Sequence, residues 1–163
     1  RESRLCGGEF TLGSETIRAT VIGAGCHSAQ LSGSTVFHQN VPFPLKNVPV
    51  VSLADISRDT IRRELSKQED SAILAFPGLA SPGYREVAAM AEEIAAGTGG
   101  NALICLEQDM AKALGQALAL RLGCNAQILC IDRVKVSEGS YLDVGAPVGP
   151  ALPVVVKTLV LGK

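Results

Sequence analysis

The sequence predicts an α/β fold, a largely parallel sheet with flanking helices. Three observations carry that prediction. Apolar runs at 72–76, 103–106 and 128–131 are nearly continuous, as strands buried on both faces are. Segments of helical periodicity separate these runs, and strands alternating with helices over short connections specify parallel neighbours. The chain has 163 residues, 47% hydrophobic but only 4% aromatic, with no Trp. Its core is therefore built from Val, Ile, Leu and Ala.

The first informative stretch, "ATVIGAGCHSAQLSG" at residues 19–33, has two readings. Gly23 and Gly25 after an apolar run suggest a loop cradling a dinucleotide phosphate. That fingerprint needs a third Gly or Ala three residues after the second Gly, and an acid about twenty residues further on. Here the third position is Ser28, and the downstream region is rich in proline. The alternative is a helix, because Ile17, Val21, Ala24, Ser28 and Leu31 recur at spacings of four and three. Ser14 suits its cap, Glu15 its first turn and Gly33 its stop. The helix, over residues 15–31, is the preferred reading. Gly23 and Gly25 each cost such a helix about 1 kcal/mol relative to Ala. That cost makes sense where another backbone or a ligand approaches closely.

The Pro-rich "NVPFPLKNVP" at 40–49 forbids helix through Pro42, Pro44 and Pro49. It is the expected boundary between residues 1–39 and a C-terminal α/β domain at 40–163. "VPVVSLA" then reads as a short strand. "DISRDTIRRELSKQED" reads as a helix capped by Asp55 or Ser57, with Ile61 and Leu65 one turn apart. "SAILAFPG" is a strand stopped by Pro77 and Gly78. "SPGYREVAAMAEEIAAG" is a helix with Tyr84, Val87, Ala88, Ala91, Ile94 and Ala95 on one face, ended by Gly97. "NALICLE" is the next strand. "DMAKALGQALALRLG" is the next helix, with Asp109 as N-cap, Leu114 and Leu118 in its stripe and Gly123 as its stop. Its "AKALGQALAL" run suits either a partner helix or core; Gly115 among alanines favours close packing on the sheet. "AQILCID" is a strand, "VKVSEGSYLDVG" a hairpin turning at Glu138 and Gly139, and "LPVVVKTLVL" a final strand.

Composition narrows the function classes. Net charge is −1, and the densest basic cluster, Arg58, Arg62 and Arg63, is offset by Asp59 and Glu64. Nucleic acid is not an expected partner. No run reaches the length of a transmembrane helix and no signal peptide opens the chain, so no membrane association is expected. Cys6, Cys26, Cys105, Cys124 and Cys130 form no CxxC pair, which suits a reducing cytoplasm. The chain opens at Arg1 without Met, which suits either an artificial boundary or a missing upstream domain.

Few residues carry chemistry. His27 and Ser28 adjoin Cys26, but neighbouring helical residues point about 100° apart and cannot form a triad. They read as interface residues of the helix. His38 has no metal partner at useful spacing, and neither a catalytic residue nor a metal site is predicted. Glu107 and Asp132 end two predicted parallel strands, where ligands gather in open α/β sheets. With Asp109 they are candidate cleft carboxylates. Capping and solvation are the preferred roles for the group; a magnesium or partner site is the alternative.

Four segments carry a family resemblance: "RATVIGAGCHSAQLSGSTV", "LAFPGLASPGYREV", "EQDMAKALGQAL" and "CIDRVKVSEGSYLDVGAPVGPALPVVVKTLVLGK". In this order they resemble the EutA family, the reactivating factors of ethanolamine ammonia-lyase. The first also resembles the Gly/Ala-rich helix that closes the nucleotide domain of actin-like ATPases. The resemblance implies the C-terminal part of a longer protein, with residues 1–39 ending an actin-like ATPase domain. It implies ATP and magnesium for the full-length protein, and exchange of damaged cobalamin for intact adenosylcobalamin in ethanolamine catabolism. Implied partners are ethanolamine ammonia-lyase and the upstream domain. The implied location is the bacterial cytoplasm, with ethanolamine microcompartments. The family's Asp-x-Gly phosphate turn is not found here; Asp143 and Gly145 have the letters but follow a hairpin. No cofactor is therefore expected for this chain alone, nor ATP hydrolysis. Two other classes remain open: an NAD-binding oxidoreductase domain resting on Gly23 and Gly25, and a plain oligomerisation module forming a homo-oligomer.

Overall fold

The computed structural model describes residues 26–31, for their backbone, and residues 36–158. Strands β1 (Cys26–Leu31), β2 (Phe37–Gln39) and β3 (Leu45–Ser52) come first, followed by helix α1 (Arg58–Leu65) and β4 (Ile73–Phe76). Helix α2 (Tyr84–Thr98), β5 (Ala102–Leu106), α3 (Ala111–Leu122) and β6 (Ile128–Ile131) continue the alternation. Strands β7 (Ser140–Val144) and β8 (Pro153–Thr158) complete the described chain. The strands form one sheet in the order β1-β8-β7-β3-β4-β5-β6-β2.

The parallel expectation holds for the centre of this sheet. Strands β3, β4, β5 and β6 pair in parallel. The flanks are antiparallel, through β3–β7, β7–β8, β8–β1 and β6–β2. Every residue of β4, β5 and β6 is buried, which is why those runs lack polar alternation. Val51, Leu74, Phe76, Ile104, Leu106 and Ile128 face α1, α2 and α3. Val50, Ile73, Ala75, Leu103, Leu129 and Ile131 face the other way, against Leu142, Val144, Val154 and Val156 of β7 and β8.

Strand β3 joins the two regions. Its Leu45, Val48 and Pro49 pair with β7, whereas Val50, Val51 and Ser52 pair with β4. The change of partner falls at Pro49, which has no N–H to give a ladder. A bulge lies between Leu45 and Val48, with Asn47 at φ 52°. Its geometry is held from both neighbouring strands. Asn47 N–H donates to Asp143 Oδ1 at 2.7 Å, Lys157 Nζ donates to Asn47 Oδ1 at 2.8 Å, and Lys157 pairs with Asp143 at 2.5 Å.

Helix ends follow their local chemistry. Ser57 caps α1, its Oγ accepting from Thr60 N–H at 3.4 Å. Glu86 folds back to accept from Gly83 N–H at 2.7 Å, opening α2. That helix does not stop at Gly97; it runs to Thr98 and is closed by Gly99 in the left-handed region, φ 69°. Gly97 is instead a packing position, where a Cβ would lie 2.7 Å from Ile61. Tyr84, expected on the buried face, is 83% exposed.

Further differences lie at the two ends of the described chain. The helix predicted over 15–31 does not include residues 26–31, which form β1. There His27 and Ser28 stand opposite Lys157 and Val156 of β8 in antiparallel register. The edge of β8 supplies a backbone ladder that outweighs the local 3.6-residue pattern. Gly23 and Gly25 lie outside the described residues. The sheet also takes strands from both sides of the boundary expected at 39 and 40. The turn at Glu138 and Gly139 forms, with Ser140 N–H donating to Ser137 O at 3.1 Å. The segment before it is not a strand, because Val134 N–H is drawn to Leu106 O instead, and β7 pairs with β3 and β8. Among the described residues, no helix is long and apolar enough to cross a membrane.

Gly115 is where α3 meets the edge strand. A Cβ there would overlap the Phe37 side chain of β2. Gly115→Ala is therefore expected to destabilise the chain by about 1–3 kcal/mol, the usual cost of overpacking. Gln116→Ala, on the exposed side of the same helix, is expected to be close to neutral. Urea denaturation of both variants tests the contact, and equal stabilities would disprove it.

Candidate functional site

The carboxyl ends of β3, β4 and β5 open into a cavity of about 160 Å³. Ser52, Leu53, Pro77, Cys105, Glu107, Val134 and Val136 are among its lining residues. Its position follows from the chain path. Past β6 the backbone turns back across the strand ends, tied by Val134 N–H to Leu106 O at 3.3 Å. The parallel strands run in the order 3-4-5-6 without reversal. The crevice of doubly wound sheets, which forms where strand order reverses, therefore does not arise among them. The segment after β6 closes one side of the cavity in its place.

The three candidate carboxylates have separate environments. Glu107 is exposed on the cavity rim. Asp132 is fully buried, and its Oδ2 accepts from Ala111 N–H, the first residue of α3, at 3.1 Å. A carboxylate there satisfies an orphan amide and complements the positive end of the helix. The N-cap position itself is Met110, which makes no side-chain cap bond. Asp109, expected to cap α3, pairs with Arg133 at 2.5 Å. So capping does occur here, but the cap comes from β6 across the fold. Arg133 adopts φ 58°, and its link to Asp109 spans 24 positions; no short-range motif signals it. Among the described residues, no group of three or more His, Cys, Asp or Glu is placed to hold a metal ion.

The remaining candidates are structural in their contacts. His38 sits edge-on to Phe43, ring centroids 5.5 Å apart. Asp143 is engaged with Lys157 and Asn47. Gly145 N–H donates to Pro153 O at 2.9 Å, and a Cβ there would lie 2.7 Å from the Pro153 ring. These contacts fit a packed strand end and not a phosphate turn.

Cys105, on the cavity floor, is pushed up to about 12 by burial first and by the charges of Glu107 and Asp132 after it. Cys130 is also pushed up, by burial and by Asp132. Both thiols are neutral at physiological pH and are poor nucleophiles. The unfolded Cys105 thiol ionises near 9.0, the folded one at about 12. The folded state holds the proton longer, so this contribution is complete below pH 9 and falls as pH rises towards 12. Cys105→Ala is expected to lose less stability than the parent between pH 8 and pH 11, measured by urea denaturation. Alkylation mapped by mass spectrometry is expected to mark exposed Cys124 and spare Cys105 and Cys130 in the folded protein. Prompt labelling of Cys105 would overturn both expectations.

Comparison with known proteins places the chain. A family model described as "Ethanolamine utilisation protein EutA" matches residues 3–162. The ethanolamine ammonia-lyase reactivase EutA of Salmonella typhimurium (strain LT2) is 35% identical over 159 residues, covering 89% of this chain and 34% of the relative. The protein of the same name from Escherichia coli (strain K12) gives the same identity and the same coverage, 35%, 89% and 34%. The chain thus spans about a third of the length of these curated relatives, and corresponds to their C-terminal portion. No solved structure gives a significant match. With the family model covering nearly all of its length, the chain belongs to the EutA family.

Proposed function

We propose that this chain is the C-terminal α/β part of a reactivating factor for ethanolamine ammonia-lyase, acting in bacterial ethanolamine catabolism. The observation that carries this reading is the near-complete match to the EutA family, together with the reactivase names of its relatives. In this reading the longer protein exchanges damaged for intact cobalamin on the lyase. ATP and magnesium are held by its upstream, actin-like portion. The contacts of Asp143 and Gly145 support that division, because the one Asp-x-Gly sequence described here is occupied in packing β7 against β3 and β8. The chain works in the cytoplasm, at ethanolamine microcompartments, and serves as a rigid platform for the lyase and the upstream domain.

Glu107 is the residue of the cavity rim that this reading assigns to partner contact. It is exposed and carries no capping duty, unlike Asp132. The test uses the longer protein that carries this chain, with cobalamin-inactivated lyase, ATP, magnesium and adenosylcobalamin. Recovery of lyase activity is expected, and none without the factor. Glu107→Gln is expected to lower recovery while leaving the melting temperature unchanged. Normal recovery would remove Glu107 from the contact, and failure of the parent protein to restore activity would sink the function itself. The isolated chain is expected to bind ATP weakly or not at all by calorimetry; submicromolar affinity would contradict the division of labour.

A further inference from the structure

The outer faces of α2 and α3 meet along a second, larger groove of about 390 Å³, remote from the carboxyl-end cavity in its lining. Pro82, Tyr84 and Ala88 form one wall, and Ala113, Ala117 and Leu120 the other. Tyr84 is 83% exposed and Leu120 is 82% exposed. Among the described residues only four large hydrophobic side chains are exposed, and two of them, Tyr84 and Leu120, line this groove. Single exposed apolar residues are ordinary, but a concentration beside a groove marks a contact surface.

The charged side chain among the groove's lining residues is Arg121. Helix α3 carries Lys112 and Arg121 and no carboxylate, and Arg85 follows Tyr84 on α2. The acids of α2 do not line the groove. Glu86 accepts from Gly83 N–H, and Glu93 accepts from Arg58 N–H on the α1 side. Asp109 pairs with Arg133. Glu92 is the one acid of α2 without such a contact among these, one helical turn beyond Ala88. Glu86, Glu92 and Glu93 keep their charge but do not line the groove, whereas Arg121 does.

We propose that the α2–α3 groove receives an amphipathic helix of a partner protein, its aliphatic stripe lying between Tyr84 and Leu120 and its acidic flank meeting Lys112 and Arg121. Helix-in-groove recognition uses anchors at i, i+3, i+4 and i+7 and draws its energy from apolar burial, with rim charges selecting the partner. The inference stands on the groove alone and does not depend on the reactivating role.

The probe is a fluorescent synthetic helix of about 18 residues, with leucines at that spacing flanked by glutamates. Two controls replace its glutamates by lysines or its leucines by serines. Anisotropy titrations against the 163-residue chain are run at low and high salt. The acidic peptide is expected to bind about tenfold more tightly than the basic one, a difference of about 1.4 kcal/mol, and to weaken with salt. Leu120→Ser is expected to weaken binding by about tenfold at unchanged melting temperature, since the side chain is exposed. Arg121→Glu is expected to erase or reverse the preference for the acidic peptide. No binding, equal binding of both charged peptides, preference for the basic one, or indifference to Leu120→Ser would each overturn the proposal. So would sedimentation showing a dimer that Leu120→Ser dissociates, because a second copy would then be the occupant.

Discussion

A parallel sheet must be covered on both sides, and here the helices cover only one. The strand order 3-4-5-6 advances in one direction, and crossovers of a single hand then lay every helix on the same face. Ile73, Leu103, Leu129 and Ile131 would otherwise face water. Strands β7 and β8 answer that requirement with Leu142, Val144, Val154 and Val156. The antiparallel half is thus the second lid of the core, which is why the sheet has to change character at β3. The bulge at Asn47 and the Asp143–Lys157 pair sit at that change. Their value lies in geometry: a half-buried ion pair contributes modestly to stability after desolvation, but it fixes where one ladder ends and the other begins.

The same economy of cross-links governs the carboxyl end. Asp132 closes β6 and opens α3 with one carboxylate. Arg133 next to it ties the following loop to Asp109. Two consecutive residues therefore hold the strand, the helix and the returning chain in register. Neither lines the carboxyl-end cavity, but both anchor the chain that leads to Val134 and Val136 in its wall, with Glu107 at the rim.

Much of this fold was legible in the sequence, and the reasons for the rest are specific. The strands β4, β5 and β6 declared themselves because burial on both faces leaves an unbroken apolar run. Helices α1, α2 and α3 declared themselves through their period, and α1 also through its Ser57 cap. Partnering was not legible. Nothing local in "CHSAQL" says that it will lie beside β8, more than a hundred positions along, and its small residues satisfy a helical pattern as well as a strand. Gly97 looked like a stop because glycine in a helix usually is one, whereas its role depends on Ile61 in another helix. At the site, a capping acid before α3 was foreseeable, but not that Asp132 would fill the role from across the fold. Tyr84 kept helical phase with the core and still faced outward, where it lines the groove between α2 and α3. The family, by contrast, was legible from four segments alone.

The lid formed by β7 and β8 has a consequence for the order of assembly. These are the last strands of the described chain to leave the ribosome. Until they emerge, the parallel sheet has its helical side complete and its other side bare. A nascent chain at that stage presents aliphatic surface and an open strand edge to its neighbours, the kind of species that aggregates. The β1–β8 ladder adds a loop closure across most of the sequence, which slows the final step. Synthesis of this chain therefore passes through a window of exposure that closes when β7 and β8 dock.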